Sequence, residues 1–298
     1  MSENSGYSGN NARKNNVKNA ETVTTTEPNQ PYAILSRVIA CLQSTGRVGK
    51  STTAEALLTA LRFAGVPYVA YDADGEHRTL SNRYPDDVER FDAANSPEEF
   101  ARLMQKVSPD ASVTLIDFPA QATRFLLDEA DRLGILDAWQ AKGIRPTVLI
   151  FAADDDTAMQ SASKVIRAFD GRAEYVLVEN PARFKSVRFN QTPMKKWFVE
   201  QGSPTFTIPP VLESTIGAWL MLERRLKRYV PLDEACRSTE LHDLQRGELQ
   251  FLRDRCCAQF EEHARYFLPD VSLIKNRLPK ARQRLPRPEI NPLEDPLY

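Results

Sequence analysis

Apolar residues fall in short unbroken runs, and between the runs they recur every three or four positions. This is the alternation of buried strands and amphipathic helices from which a parallel α/β sheet is built. Val38-Ile39-Ala40-Cys41-Leu42 is the first run; Ala54, Leu57, Leu58 and Leu61 follow at helical spacing and Gly65 ends the helix. Tyr68 to Tyr71 is a second strand, and residues 82 to 95 are predicted to be a connection holding one short extended piece, Val88 to Phe91. Ser96-Pro97-Glu98-Glu99 has the form of a capping box with proline at the first helical position, and Phe100, Leu103, Met104 and Val107 share one face behind it. Ser112 to Ile116 is apolar and closes on Asp117; Pro146 to Ala152 is the most continuously apolar stretch, as expected of a central strand. Met159, Ala162, Val165, Ile166 and Phe169 mark a helix, Tyr175 to Asn180 another strand, and Pro204 to Ile208 a last short one. Beyond it Leu212, Ile216, Trp219 and Leu220 are expected to face inward along a helix with a basic far end, and residues 239 to 267 to form one long helix striped by Leu249, Leu252, Cys256, Phe260 and Phe267.

Composition sets the ends of this pattern. Residues 1–31 are rich in Asn, Ser, Thr and Gly with almost nothing large to bury, which predicts a disordered tail. Residues 32–235 hold the alternating pattern, 236–270 a C-terminal helical extension, and 271–298 a proline-rich basic tail. The 298 residues are 42% apolar, enough for a substantial core, and carry a net charge of -1, so no global field steers the chain toward nucleic acid. Four cysteines without paired spacing argue against a disulfide framework. With no apolar run near the roughly 20 residues that cross a bilayer and no secretory signal pattern, a soluble cytoplasmic protein is expected.

The chemistry is concentrated after the first strand. Ser44-Thr45-Gly46-Arg47-Val48-Gly49-Lys50-Ser51-Thr52 joins strand to helix through a glycine-bearing turn, the setting of a phosphate-binding loop. Gly46, Arg47, Val48, Gly49, Lys50, Ser51 and Thr52 are the candidate nucleotide contacts: glycines aim backbone N–H groups inward, the helix start adds partial positive charge and Lys50 a full one. Ser51 is placed to offer its hydroxyl to Mg²⁺, and Asp117, at another strand end, to hold that ion's water shell from across. Asp72-Ala73-Asp74 also closes a strand and either faces the phosphates or is an Asp-rich turn capping a helix. Asp154-Asp155-Asp156 favours a helix cap over a metal site. The segment from Arg183 to Lys196 mixes cations with Phe184, Phe189 and Trp197, a pattern that grips nucleic acid or, the favoured reading, a solvated face. His242, Cys256, Cys257 and His263 match no zinc-ligand spacing.

The loop's spacing, Gly46-x-Val48-Gly49-Lys50-Ser51-Thr52, resembles the deviant Walker A motif of the ParA/MinD ATPases of the SIMIBI class of P-loop proteins. The order of the motifs from Arg37 to Ala235 is similar as well, and the resemblance implies a three-layer P-loop NTPase fold with a mostly parallel sheet. It further implies ATP and Mg²⁺ as ligands, Lys50 and Asp74 as the catalytic pair with Asp74 on the attacking water, Ser51 and Asp117 at the metal, and Asn180 against the base. As partners it implies a nucleotide-dependent homodimer and a DNA or DNA-bound cargo to position or partition. Thr45 stands where the group carries a signature lysine, Arg47 where it has a second glycine, and Gln121 where its Asp-x-Pro-x-Gly segment has glycine. The Thr45 and Arg47 departures, with the shape of the middle segment, look closest within the group to accessory ATPases of plasmid transfer and stability systems, such as the TraL-type proteins of conjugation. A nucleotide-binding adaptor with little hydrolysis is the alternative, and a small-molecule ligase or kinase on the same scaffold a third.

Overall fold

The first apolar run becomes the middle of the sheet. In the computed structural model, which describes residues 34–43, 45–120, 122–185 and 188–270, β1 (Ser36–Cys41) leads into α1 (Lys50–Ala64), β2 (Tyr68–Asp72), α2 (Thr79–Arg83) and β3 (Val88–Arg90). There follow α3 (Pro97–Lys106), β4 (Val113–Asp117), α4 (Thr123–Arg132), α5 (Ile135–Ala141), β5 (Ile144–Phe151), α6 (Asp156–Phe169) and β6 (Glu174–Glu179). The chain ends with α7 (Pro193–Glu200), β7 (Thr205–Thr207), α8 (Glu213–Leu226), α9 (Leu232–Ala235), α10 (Asp243–Glu262) and α11 (Ala264–Phe267). The strands lie in the order β3-β2-β4-β1-β5-β6-β7, and every neighbouring pair is parallel. This is a three-layer α/β fold built on a parallel seven-stranded sheet.

Alternation along the strands divides the core in two. Ile39 and Cys41 of β1 pack with Leu57, Leu61, Trp219, Leu249 and Phe260, so α1, α8 and α10 cover one face. Val38, Ala40 and Leu42 pack with Phe100, Leu126, Val165 and Phe198, so α3, α4, α6 and α7 cover the other. Residues 236–270 therefore lie within a layer of the sandwich, with Leu249, Leu252, Cys256 and Phe260 buried as the stripe predicts. The proline-rich tail and the first 31 residues, with their expected disorder, lie outside the described residues, as do Ser44 and Gln121.

Several elements differ from the pattern. The piece from Val88 to Phe91 is an edge strand, three residues long, paired to β2. Helices α2, α4, α5 and α7 fall where no strong periodicity announced them. The expected long helix starts only at Asp243, capped by the His242 side chain, and stops at His263 before α11. Along α8 and its cap the expected inward face holds at one of its four residues: Trp219 is 6% exposed, but Leu212, Ile216 and Leu220 are 63%, 38% and 45% exposed. The helix is rotated because Trp219 donates its indole N–H to the Val230 carbonyl at 3.0 Å while Thr215 and Glu223, polar residues, take buried positions beside it. The acids before α6 divide their work. Asp155 caps the helix by accepting from Ala158 N, and Asp154 and Asp156 hold Arg188, at 3.0 Å from its backbone N–H and 2.9 Å from its guanidinium.

Candidate nucleotide-binding site

The loop that follows β1 is fixed at both ends. Gln43, fully buried, accepts from Phe151 N at 2.8 Å and donates to the carbonyls of Phe151 and Ala158, which extends the β1–β5 contact past the last ladder pair. At the far end Gly49 is the residue before α1, with φ 108°, and Thr53 N donates back to its carbonyl. Two features there demand glycine: the positive φ, and Asn180, whose Nδ2 would lie 2.7 Å from any Cβ added at Gly49. Asn180 Nδ2 donates to the Val48 carbonyl at 3.3 Å, so this side chain, at the carboxyl end of β6, braces the loop from above while lining the cleft. Arg47 sits at φ 62°, a left-handed conformation in which a side chain is strained. It is exposed and leaves the loop open.

The N–H groups of the first turn of any helix have no partner within it, and Gly49 brings no capping side chain. Those donors, with the partial positive charge of the helix start, face a cleft of about 610 Å³ lined by Gly46, Lys50, Ser51, Asp74, Phe118 and Asn180 among others. Lys50 is buried, and its Nζ donates to the Thr45 carbonyl at 2.9 Å. Burial pulls the ammonium pKa down, while Asp117 and Asp74 act in the opposite sense.

Asp117 ends β4 directly beside Asp72 at the end of β2 and Cys41 at the end of β1. Burial first, and then the neighbouring Asp72 charge, push its carboxyl up to about 7, against the pull of the Ser51 hydroxyl and Lys50. Its Oδ1 is buried with no hydrogen-bond partner among the described residues. The two acids of the Asp72-Ala73-Asp74 stretch have separate jobs. Asp72 is structural: Oδ1 accepts from Asp74 N at 3.1 Å and Oδ2 from Ser81 N at 2.9 Å, so it ties the following segment to the sheet. Asp74 lines the cleft, half-buried, its Oδ1 accepting from Glu76 N and His77 N in a tight turn.

Lys50, Ser51, Asp74, Asp117 and Asn180 thus meet at one strand-end edge, where an open parallel sheet holds its ligands. An orphaned, buried carboxylate oxygen beside a hydroxyl is a hard oxygen pair that fits Mg²⁺, and the open helix start with Lys50 fits phosphate. Thr52, by contrast, is exposed at the rim. Reasoning from sequence missed Gln43 and His77, and read Arg183 only as the start of a basic segment on a solvated face. Arg183 lines the cleft because it follows Asn180 in a turn, its N–H donating to the Asn180 carbonyl. That three-residue spacing was the available signal. Of the other cations of the basic segment, Arg188 is paired with Asp154 and Asp156, Lys195 with Glu179 and Lys196 with Glu200, while Lys185 is exposed; Trp197 packs edge-on against Tyr175 and Phe198. His242 and Cys256 serve as a helix cap and a core residue.

No family model matches the chain, and none of the curated proteins does. Among solved structures it is similar to the septum site-determining protein MinD from Pyrococcus horikoshii, complexed with Mg-ADP, at 15% identity over 77% of this chain and 97% of that one, with a TM-score of 0.47. It is similar to MinD from Aquifex aeolicus at 13% identity, covering 76% and 98%, TM-score 0.45. A plasmid partition protein from Borrelia burgdorferi bound to AMPPNP matches at 12% identity, covering 76% and 99%, TM-score 0.42. These are likenesses of fold alone. No helix among the described residues is long and apolar enough to cross a membrane.

Proposed function

We propose that the chain is a nucleotide-dependent switch ATPase that binds ATP with Mg²⁺, hydrolyses it slowly, and couples the bound state to a DNA-bound cargo through a homodimer. One observation carries this reading: the buried, unpartnered Oδ1 of Asp117 stands with Ser51 and Lys50 at the open start of α1. Loop N–H groups and Lys50 would bind and orient the phosphates, and Ser51 with Asp117 would hold the metal, which supplies charge against the phosphate oxygens. Asp74 borders the same cleft and is the group to orient a water and take its proton. Asn180 holds the loop in its bonded shape and, at the cleft wall, is available to a base. With the departures at Thr45 and Arg47, a role in plasmid transfer or stability is the finer form of this proposal.

Lys50→Ala should weaken ATP binding about 100-fold or more in a calorimetric titration, and Asp74→Ala should keep binding but lose turnover. Unchanged ATP affinity in the Lys50 variant would defeat the reading. A second reading, a nucleotide-binding adaptor without hydrolysis, is favoured by Thr45, too short to reach a partner's phosphates. Arg47, exposed at the rim, is the remaining cation of the loop; turnover lost in Arg47→Ala with binding intact would return the chain to the ATPases.

A further inference from the structure

The Asp74 segment runs from the end of β2 to the end of α2, and its far end is fastened by a buried charge cluster that the nucleotide site does not use. Arg83, the last residue of α2, places Nη1 2.6 Å from Glu55 Oε2 and Nε 3.2 Å from Glu223 Oε1, with its guanidinium 4.3 Å above the Trp219 ring. The three ionic side chains keep only 15%, 5% and 9% of their surface in Arg83, Glu55 and Glu223. Glu55 stands on α1, one helical turn beyond Ser51, and its Oε1 also accepts from Leu232 N at 3.1 Å and from the Tyr84 hydroxyl at 3.4 Å. Glu223 stands on α8 and accepts from Val230 N at 3.0 Å. One guanidinium therefore joins the helix of the phosphate loop, the segment that carries Asp74, and the α8–α9 connection.

Such a cluster is poor value as a stabiliser, since an apolar trio of similar volume commonly holds a fold as well or better. What a bridging guanidinium adds is direction: its planar fork fixes two carboxylates from different elements at once. Asp72 ties the segment at both ends, accepting from Asp74 N where it leaves β2 and from Ser81 N within α2, and Arg83 adds the link from α2 to α1 and α8. Between these anchors the backbone is tightly wound, with the Asp74 turn followed by Arg78 at φ 47°. Ala73 and Leu80 pack into the core on either side, but Asp74 itself is only half-buried, so its place over the cleft depends on how those packed ends and the polar anchors hold the turn between them.

We propose that Arg83 is a positioning residue for Asp74, holding its segment against both the phosphate-loop helix and α8, so that a shift of α8 is transmitted to the group that orients water. The catalytic part of this rests on the ATPase reading; the mechanical part does not. The test compares Arg83→Met, Arg83→Lys and Glu223→Gln by amide hydrogen exchange of the nucleotide-free protein, ATP affinity and turnover. In Arg83→Met, amides of residues 74–82 should exchange at least about ten-fold faster while those of β1 and β4 keep their rates. ATP affinity should stay within about three-fold and kcat fall about ten-fold, with Arg83→Lys intermediate because an ammonium pairs with either carboxylate but does not fork to both. Exchange of 74–82 at the native rate in a folded variant would overturn the proposal, as would faster exchange spread evenly over the whole chain. If Arg83→Met does not fold, Glu223→Gln, which keeps shape and reduces one arm of the bridge from an ion pair to a neutral hydrogen bond, decides on the same readouts. If the native protein shows no turnover, the ATPase reading fails, and the exchange result alone still judges the anchor.

Discussion

Two buried charges stand at opposite ends of neighbouring strands, and the fold has treated them differently. Arg37, at the start of β1, is held three ways: Nη1 lies 2.6 Å from Glu174 Oε2 as an ion pair without hydrogen-bond geometry, Nε donates to the Leu268 carbonyl at 3.0 Å and Nη2 to the Arg265 carbonyl at 2.5 Å. Asp117, at the end of β4, is as deeply buried but keeps an oxygen without a partner and a carboxyl pushed up to about 7. A buried charge that is fully paired is accounted for by the fold that buries it; one left unpaired costs stability and so implicates something outside the fold. The comparison sets a charge held by an ion pair and two carbonyls at the strands' amino ends against a carboxyl with a free oxygen at their carboxyl ends.

Breaking the paired charge should have the largest effect. Arg37→Met leaves Glu174 and two carbonyls without their partner and should cost about 3–5 kcal/mol of folding free energy in a denaturant titration. Asp117→Asn should act in the opposite direction and stabilise the nucleotide-free protein by about 1–3 kcal/mol at pH 8. The sign follows from the raised pKa: stability tied to the protonated carboxyl is complete below its ordinary value of 3.8 and is lost as pH rises through about 7. The melting temperature of the unmodified protein should therefore fall across that window, and the Asn variant should lose that part of the slope. The same substitution should abolish any Mg²⁺ dependence of nucleotide binding; a destabilised Asn variant would show that the oxygen is satisfied in solution. Gly49→Ala should cost about 1–3 kcal/mol through strain at its positive φ and the contact with Asn180, and should weaken nucleotide binding with it. The smallest effect is expected at Arg47, where replacing a left-handed arginine by glycine should raise stability by about 0.5–1 kcal/mol, read as a small rise in melting temperature.

Legibility follows the same division. The central strand, the loop and α1 could be read from residues 38–61 because local periodicity, glycine placement and helix charge all point one way there. That Lys50, Ser51, Asp74 and Asp117 come together could be read because each lies at or just beyond the end of a regular element, and strand ends in a parallel sheet converge. The different duties of Asp72 and Asp74 could not, since both follow the same strand and only the hydrogen bonds to Ser81 and Asp74 tell them apart. Helix α8 misled for a related reason: Leu212, Ile216 and Leu220 are as apolar as anything in the core, and what rotates the helix is Trp219 and Glu223 finding partners on residues 230 and 83. Polar pairs across 140 residues leave no local period. Arg37 and Gln43 were invisible on the same ground, being polar residues within or beside an apolar run.

The strand order has a consequence for how the chain is made. β1 is central and pairs on one side with β4, whose first residue, Val113, leaves the ribosome some 70 residues later, about 4–15 s at roughly 5–20 residues per second. For that interval the strand from Ser36 to Cys41 has neither neighbour, and the phosphate loop hangs from an unanchored support. The earliest functional motif to be synthesised is thus completed late, once β4 and then β5 have closed around it, and in that waiting time aggregation competes with folding.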